Sequence, residues 1–313
     1  MKKNIAVIGC GYWGKNLVRN FSELGALKYV CDQDKDLVSK MAFSFGVESK
    51  DYQDILEDKD IDGVVIASPA YLHADLAINA LEMKKNVFVE KPLSLNEEEA
   101  TRMISSAKKN DMNLMVGHLL QYHPIFKKIR EIVELGELGK LMHVSSSRKS
   151  MGKIRSEENV IWSFAPHDIS MILSLTPQKI KNIHSDKATL LQEGIADIAR
   201  VGIEFDQGLK ADINISWISP FKEQKLVVTC EKAILVFDDT LEWKKKLMVV
   251  KYHYENLQNQ LSISKDEPSF IEVPMSEPLR NECEHFIETI KNKNKPITDG
   301  EEGLEVLKIL SAC

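Results

Sequence analysis

The sequence predicts an α/β protein in two parts: a doubly wound parallel sheet at the N-terminus, then an α+β domain built on a large mixed or antiparallel sheet. Three observations carry this prediction. Short apolar runs alternate with amphipathic segments through the first 118 residues, a glycine-rich turn follows the first run, and past residue 118 strand-like runs succeed one another with few helices between them. The 313 residues also exceed one average domain and suit two.

The apolar runs are Ile5-Ala6-Val7-Ile8, Lys28-Tyr29-Val30-Cys31, Val64-Val65-Ile66-Ala67, Val87-Phe88-Val89 and Leu114-Met115-Val116, each bounded by Gly, Asp or Pro. Such short, unalternating runs suit strands buried on both faces of a parallel sheet. Between them, Leu72 to Met83 and Glu97 to Lys109 repeat apolar residues every three or four positions, as helices do. In the second half a helix over Ile125–Leu135 leads to a strand over Leu141–Ser147. A basic loop follows, with Arg148, Lys149, Lys153 and Arg155, and then an apolar stretch from Ile169 to Leu175. From 178 to 275 most of the chain reads as strand, including Ala199–Phe205, Ala211–Trp217, Leu226–Thr229 and Ile234–Phe237. Helices from Glu277 to Ile290 and from Glu301 onward close it. Strands in a row mark a separate α+β unit, so the expected domains are 1–118 and 119–313, with the last helix able to pack back on the first domain.

Composition excludes several classes. A net charge of −6 argues against a phosphate-backbone binder, which needs a basic face. Five cysteines without a Cys-x-x-Cys pair suit free thiols in a reducing compartment. No apolar run reaches the roughly 18 residues of a membrane-spanning helix, and the lysines of Met1-Lys2-Lys3-Asn4 precede too short an apolar stretch for a signal peptide. A cytoplasmic protein that engages neither nucleic acid nor membrane is expected. The histidines show no metal-ligand spacing, so no metal site is expected. Trp162 and Trp217 read as core aromatics.

The strongest motif is Gly9-Cys10-Gly11-Tyr12-Trp13-Gly14. Gly9 permits a tight turn out of the strand, Gly11 lets a pyrophosphate approach the backbone, and Gly14 allows the following helix to pack closely, with its N-terminal N–H groups aimed at the phosphates. Asp32 ends the next strand at the distance where a carboxylate accepts the ribose hydroxyls and repels a 2′-phosphate, and neither Gln33 nor Asp34 offers that phosphate a cation. This is the dinucleotide fingerprint of a Rossmann domain, and NAD is the expected cofactor. Tyr12 and Trp13, inside the turn, join the cofactor-contact candidates.

Glu90-Lys91-Pro92 follows the run Val87–Val89, at the sheet edge where ligands of open parallel sheets lie. A lysine there can take the proton of a carbinol while hydride leaves the same carbon. On spacing alone, Lys91 reads equally as a surface lysine beside a turn proline. The turn Gly9–Gly14, Ser68-Pro69 followed by His73, Glu90-Lys91-Pro92 and the pair His167-Asp168 resemble the Gfo/Idh/MocA family, the glucose–fructose oxidoreductase and inositol dehydrogenase superfamily, over nearly the whole chain. The resemblance implies that Lys91 is the proton-transfer residue, that the Lys91–Pro92 bond is cis, and that His167 lies beside the substrate carbinol. It also implies that Ser68, Pro69, His73 and Glu90 serve the cofactor site. Tyr122 and His123 fall in the family's first substrate-binding segment, where they can touch a sugar or pack a domain junction. A homodimer or homotetramer is implied as well.

One departure from the family pattern matters. Many members carry an aspartate four residues before the histidine, and here that position is Ser163. Serine can hydrogen-bond a sugar but is no carboxylate base, so proton work falls on Lys91 and His167, or activity is weakened. Asp168 is a second candidate for compensation, although adjacent helical residues point apart. The stretch from Gln121 through Asp168 most resembles the branch acting on UDP-N-acetylglucosamine or its uronate at C3, whose keto product feeds an aminotransferase in surface-polysaccharide biosynthesis. Arg148, Lys149, Lys153 and Arg155 can hold a diphosphate or simply form a solvated basic loop. A free cyclic polyol, a keto-deoxysugar nucleotide and a catalytically silent NAD-binding regulator are the alternative readings.

Overall fold

The computed structural model describes residues 4–152, 154–257 and 260–313. The chain divides into two compact units: the first runs to Tyr122 and includes Glu277–Lys308, and the second comprises His123–Ser276 with Ile309–Cys313.

The first unit starts as the apolar runs dictate. Strands β1 (Ile5–Ile8), β2 (Leu27–Cys31), β3 (Glu48–Ser49), β4 (Gly63–Ile66), β5 (Asn86–Glu90) and β6 (Leu114–Gly117) form one six-stranded parallel sheet in the order β3-β2-β1-β4-β5-β6. Between them run α1 (Gly14–Glu23), α2 (Lys35–Phe45), α3 (Tyr52–Glu57), α4 (His73–Glu82) and α5 (Glu97–Asn110). The order reverses between β1 and β4, the point at which a doubly wound sheet opens a crevice at its carboxyl edge. Every residue of β1, β4 and β6 is buried, as expected of strands covered on both faces. Local chemistry sets the helix ends. Asp34 caps α2 by accepting from the backbone of Asp36 and Leu37, and Gly46 stops that helix in the left-handed region at φ 62°.

Two helices from the far end of the chain complete this unit: α8 (Pro278–Asn292) and most of α9 (Gly300–Ala312). Leu279, Cys283 and Phe286 recur on one face of α8 and join the cluster of Val7, Phe21, Val65, Phe88 and Met115. The Phe286 ring meets Phe88 edge-on at 5.7 Å and Phe21 at 6.4 Å. The expected division at residue 118 is therefore corrected. The N-terminal sheet needs apolar cover that its own crossover helices do not supply, and α8 supplies it.

The second unit holds α6 (Pro124–Leu135), β7 (Leu141–Met151), α7 (Val160–Ser174), β8 (Ile180–Ala188), β9 (Ile198–Phe205), β10 (Lys210–Ser216), β11 (Ile218–Cys230), β12 (Ala233–Asp238), β13 (Leu247–Leu257), β14 (Gln260–Lys265) and β15 (Ser269–Phe270). Its sheet runs β14-β13-β12-β11-β7-β10-β9-β8, with β15 beside β13. The pair β7–β10 is parallel and the other pairs are antiparallel, which makes the sheet mixed. Helix α7 lies on strands β7, β9 and β10.

Two local expectations are corrected here. Arg148 and Lys149 lie within β7 instead of a loop, because β10 and β11 pair with that stretch from both sides and satisfy its backbone. Helix α7 begins at Val160, well before the apolar stretch at Ile169. Asn159 caps it by accepting from the backbone N–H groups of Ile161 and Trp162, and Pro166 sits inside it.

Candidate active site

In the first unit the glycine turn joins β1 to α1. Gly9 has φ 94°, and a Cβ there would lie 2.7 Å from the Ala67 carbonyl. A Cβ on Gly14 would lie 1.9 Å from the Gly9 oxygen, so helix and turn close only on glycine. Gly11 differs, since no atom lies within 4 Å of the position a Cβ would take. The open space there and an α1 N-terminus that no side chain caps form the cradle a pyrophosphate requires.

Asp32 is fixed at the end of β2. Its Oδ2 accepts from the Cys10 backbone N–H at 2.6 Å and its Oδ1 from that of Asp34 at 3.0 Å. Each oxygen keeps a lone pair for a ribose hydroxyl. At the end of β4, Ser68 Oγ is buried with no hydrogen-bond partner among the described residues, the state of a hydroxyl that a ligand would satisfy. His73 pins the neighbouring loops, with Nδ1 2.9 Å from the Pro92 carbonyl oxygen and Nε2 2.9 Å from that of Ser68. The residues present therefore fit a dinucleotide. Asp32→Ala is expected to weaken NAD binding by about 10- to 100-fold, the worth of a hydrogen bond to a charged group, and to erode the preference over NADP. Calorimetry with both nucleotides measures this, and an unchanged ratio of affinities would refute the role of Asp32.

Glu90 ends β5. Its Oε1 accepts from Trp13 Nε1 at 2.5 Å, which ties the glycine turn to the strand, while Tyr12 stands exposed to solvent. Burial pushes the Glu90 carboxyl up to about 7, against the opposing pull of the Trp13 hydrogen bond and of the Lys91 and His118 charges. Lys91 comes next, and the Lys91–Pro92 bond is cis. Lys91 thus stands at the same carboxyl edge of the sheet as Gly9–Gly14, Asp32 and Ser68.

Tyr122, a candidate for either sugar contact or packing, is fully buried. Its hydroxyl lies 2.8 Å from Thr298 Oγ1, and its carbonyl accepts from Asn281. It is a packing residue of the first unit. His123, in the second unit, caps α6: its Nδ1 accepts from the Ile125 backbone N–H, and its ring stacks on Trp243 with centroids 5.5 Å apart. His123 Nε2 lies 3.5 Å from Asp239 Oδ1, so both ring nitrogens face partners in the second unit and the packing alternative describes the residue.

In the second unit Ser163 and His167 lie one turn apart on α7. Ser163 is buried and His167 half-buried. Asp168, between α7 and the sheet, has only 1% of its side chain exposed and is gripped by Arg148 of β7. Arg148 Nε donates to Oδ2 at 2.6 Å, Nη2 to Oδ1 at 3.0 Å, and Ser146 Oγ donates to Oδ1 at 2.5 Å. Burial opposes the guanidinium charge of Arg148, and the Asp168 carboxylate outweighs that opposition. The fork expected to hold a diphosphate thus already holds Asp168, and Asp168 in turn is not free to replace the carboxylate missing at Ser163. Lys149 pairs with Glu223 at 3.3 Å and Arg155 with Glu158 at 3.0 Å. Lys153 lies outside the described residues. The sequence reading missed Glu302, whose Oε2 lies 2.6 Å from His118 Nδ1 just past β6, and Glu282, buried on α8; no motif marks either.

Among the described residues no group of three His, Cys, Asp or Glu side chains could hold a metal ion, and no helix is long and apolar enough to cross a membrane.

Comparison with known proteins places residues 3–118 in the Gfo/Idh/MocA oxidoreductase family, NAD-binding Rossmann fold, and matches residues 126–236 to the C-terminal domain of the same family. The uncharacterized oxidoreductase YrbE of Bacillus subtilis is 26% identical over 98% of this chain and 92% of its own length. The myo-inositol 2-dehydrogenase of Thermotoga maritima is 27% identical over 96% and 91%. Among solved structures, the UDP-N-acetylglucosamine 3-dehydrogenase of Acidithiobacillus ferrooxidans aligns with a TM-score of 0.86 at 20% identity, covering 98% of this chain and 95% of that one, which is a likeness of fold.

Proposed function

The chain belongs to the Gfo/Idh/MocA family of NAD-binding oxidoreductases, and from that premise we propose that it oxidises a ring carbinol with NAD, with C3 of UDP-N-acetylglucosamine or its uronate as the first-choice position. The observation that carries this reading is Lys91 at the carboxyl edge of the sheet, on the edge that also bears Gly9–Gly14 and Asp32. NAD, when bound, supplies the hydride acceptor. Gly11 and the α1 N-terminus would hold its pyrophosphate, Asp32 its ribose, and Ser68 Oγ would gain a partner.

Lys91 Nζ, as the free amine, takes the proton of the substrate hydroxyl and becomes an ammonium. His167 is the second proton-handling group, and Ser163 hydrogen-bonds the substrate without serving as a base. The nucleotide-sugar choice follows the resemblance of residues 121–168 to that branch and agrees with the fold likeness to the Acidithiobacillus enzyme.

A second reading, a free cyclic polyol, gains from the Arg148–Asp168 pair, which takes one guanidinium away from any diphosphate, and from the full-length similarity to a myo-inositol dehydrogenase. The purified protein with NAD and, in turn, UDP-N-acetylglucosamine, its uronate and myo-inositol is expected to form reduced nicotinamide with one of them. Tight NAD binding with no turnover on any of the three would overturn the enzymatic reading in favour of a silent regulator.

A further inference from the structure

One side chain in the first unit joins the glycine turn to the peptide that carries Lys91. Trp13 takes the N-cap position of α1, inside the turn, and its indole Nε1 donates to Glu90 Oε1 at 2.5 Å across 77 residues of sequence. The other oxygen of the same carboxyl, Oε2, accepts from the Lys91 backbone N–H at 3.3 Å. Glu90 thus folds its side chain back over its own strand end, and Trp13 meets it there. The carboxyl has room because its register partner on β6, residue 117, is glycine. A Cβ at that position would lie 2.9 Å from Oε2 and 3.2 Å from Oε1. On the far side of Lys91, the Pro92 carbonyl oxygen lies 2.9 Å from His73 Nδ1.

We propose that Trp13 is a positioning residue for proton transfer: acting through Glu90, its indole N–H fixes the backbone of Lys91 against the glycine turn, so that lysine and cofactor cradle keep one spacing. The inference rests on the reading of Lys91 as the proton-transfer group. Gly117 belongs to the same device, as the space in which the carboxyl lies.

The physical argument starts from the donors. An indole N–H only donates and a carboxylate only accepts, so the contact has one sense, and hydrogen bonds to a charged acceptor are the short and strong ones. With one N–H on each oxygen, the carboxyl is held at both ends, by Trp13 and by the Lys91 backbone. Proton transfer requires Lys91 Nζ within hydrogen-bond reach of the substrate hydroxyl, and that reach is measured from where the lysine backbone stands. Binding of the pyrophosphate makes no such demand on the indole, because backbone N–H groups and the open space at Gly11 supply the cradle. Packing does not account for tryptophan either: the residue is 38% exposed, and phenylalanine would fill the same place without reaching Glu90.

The first readout is spectroscopic and needs no substrate. In protein carrying isotope-labelled tryptophan, the Trp13 indole N–H resonance is identified by its loss in Trp13→Phe. It is expected to shift in Glu90→Gln, where the acceptor loses its charge, and in Gly117→Ala, where a methyl group displaces the carboxyl and Trp13 stays intact. The second readout is the rate, with whichever of UDP-N-acetylglucosamine, its uronate or myo-inositol is turned over. Trp13→Phe and Gly117→Ala should each lower kcat by about 10- to 100-fold, the effect of a small misplacement of a reacting group. For Trp13→Phe, NAD affinity and melting temperature should stay close to the parent's. In a Lys91→Ala background Trp13→Phe should lower kcat no further, because residues that act through one group are not additive. An indole resonance that stays put in both Glu90→Gln and Gly117→Ala overturns the inference, as does a loss of kcat from Trp13→Phe that is equal with and without Lys91. A Lys91→Ala variant as active as the parent instead overturns the reading beneath it, whatever the indole resonance does.

Discussion

Lys91→Ala is expected to lower kcat by about 10²–10⁴, the usual worth of a positioned acid or base, while NAD affinity changes little. The two effects separate because different parts of the first unit carry them. Pyrophosphate and ribose contacts come from the glycine turn, the α1 N-terminus and Asp32, none of which depends on the lysine side chain. Lys91→Arg is the informative companion: guanidinium keeps the positive charge but does not release its proton near neutrality, so it should be nearly as slow as alanine. Steady-state rates with calorimetric NAD titrations decide the matter. An alanine variant within a few-fold of the parent would show that another group handles the proton.

The second large effect concerns stability. Asp168→Ala removes the carboxylate that holds Arg148 and leaves a guanidinium buried without its partner, which costs about 3–5 kcal/mol. The pair lies between α7 and β7, and Ser146 also donates to the same carboxylate, so the loss strips three hydrogen bonds at once. Replacing both partners, Arg148→Met with Asp168→Leu, should recover most of the loss, because an apolar pair of similar volume needs no mutual neutralisation. Urea unfolding of the three variants measures this. A single-site loss below about 1 kcal/mol would mean that Arg148 reaches solvent once released. Because His167 directly precedes Asp168 in α7, the alanine variant should also disturb whatever His167 touches.

The parallel sheet was readable because burial on both faces leaves unbroken apolar runs such as Ile5–Ile8, and each strand lies within a residue or two of its run except β3, an exposed Glu48–Ser49 pair that no apolar run announces. The glycine turn was readable because two close backbone approaches, at Gly9 and Gly14, and an open approach at Gly11 fall on three positions at fixed spacing. The roles of Arg148, Tyr122 and His123 were not. A basic residue in a polar stretch looks solvated until its register is known. In β7, alternation turns Arg148 toward Asp168 and Lys149 toward Glu223, and nothing local to residues 148–155 encodes that partner choice. Tyr122 and His123 are buried by contacts with Thr298 and Trp243, far along the chain and beyond the reach of any periodicity. The N-terminus of α7 was hidden for another reason: Pro166 interrupts the pattern, and the signal that starts the helix is the single cap at Asn159.

The place of α8 in the first unit has a consequence for synthesis. A ribosome delivers β1 to β6 first, and the helix that covers Val65, Phe88 and Met115 emerges only after residues 123–276 of the second unit have been made. At roughly 5–20 residues per second, the interval is about 10–30 seconds. Throughout it, the nascent sheet presents to solvent, or to a chaperone, an apolar face meant for Leu279, Cys283 and Phe286. The nucleotide-binding half of this protein is thus begun first and completed only after nearly all of the other half has been made.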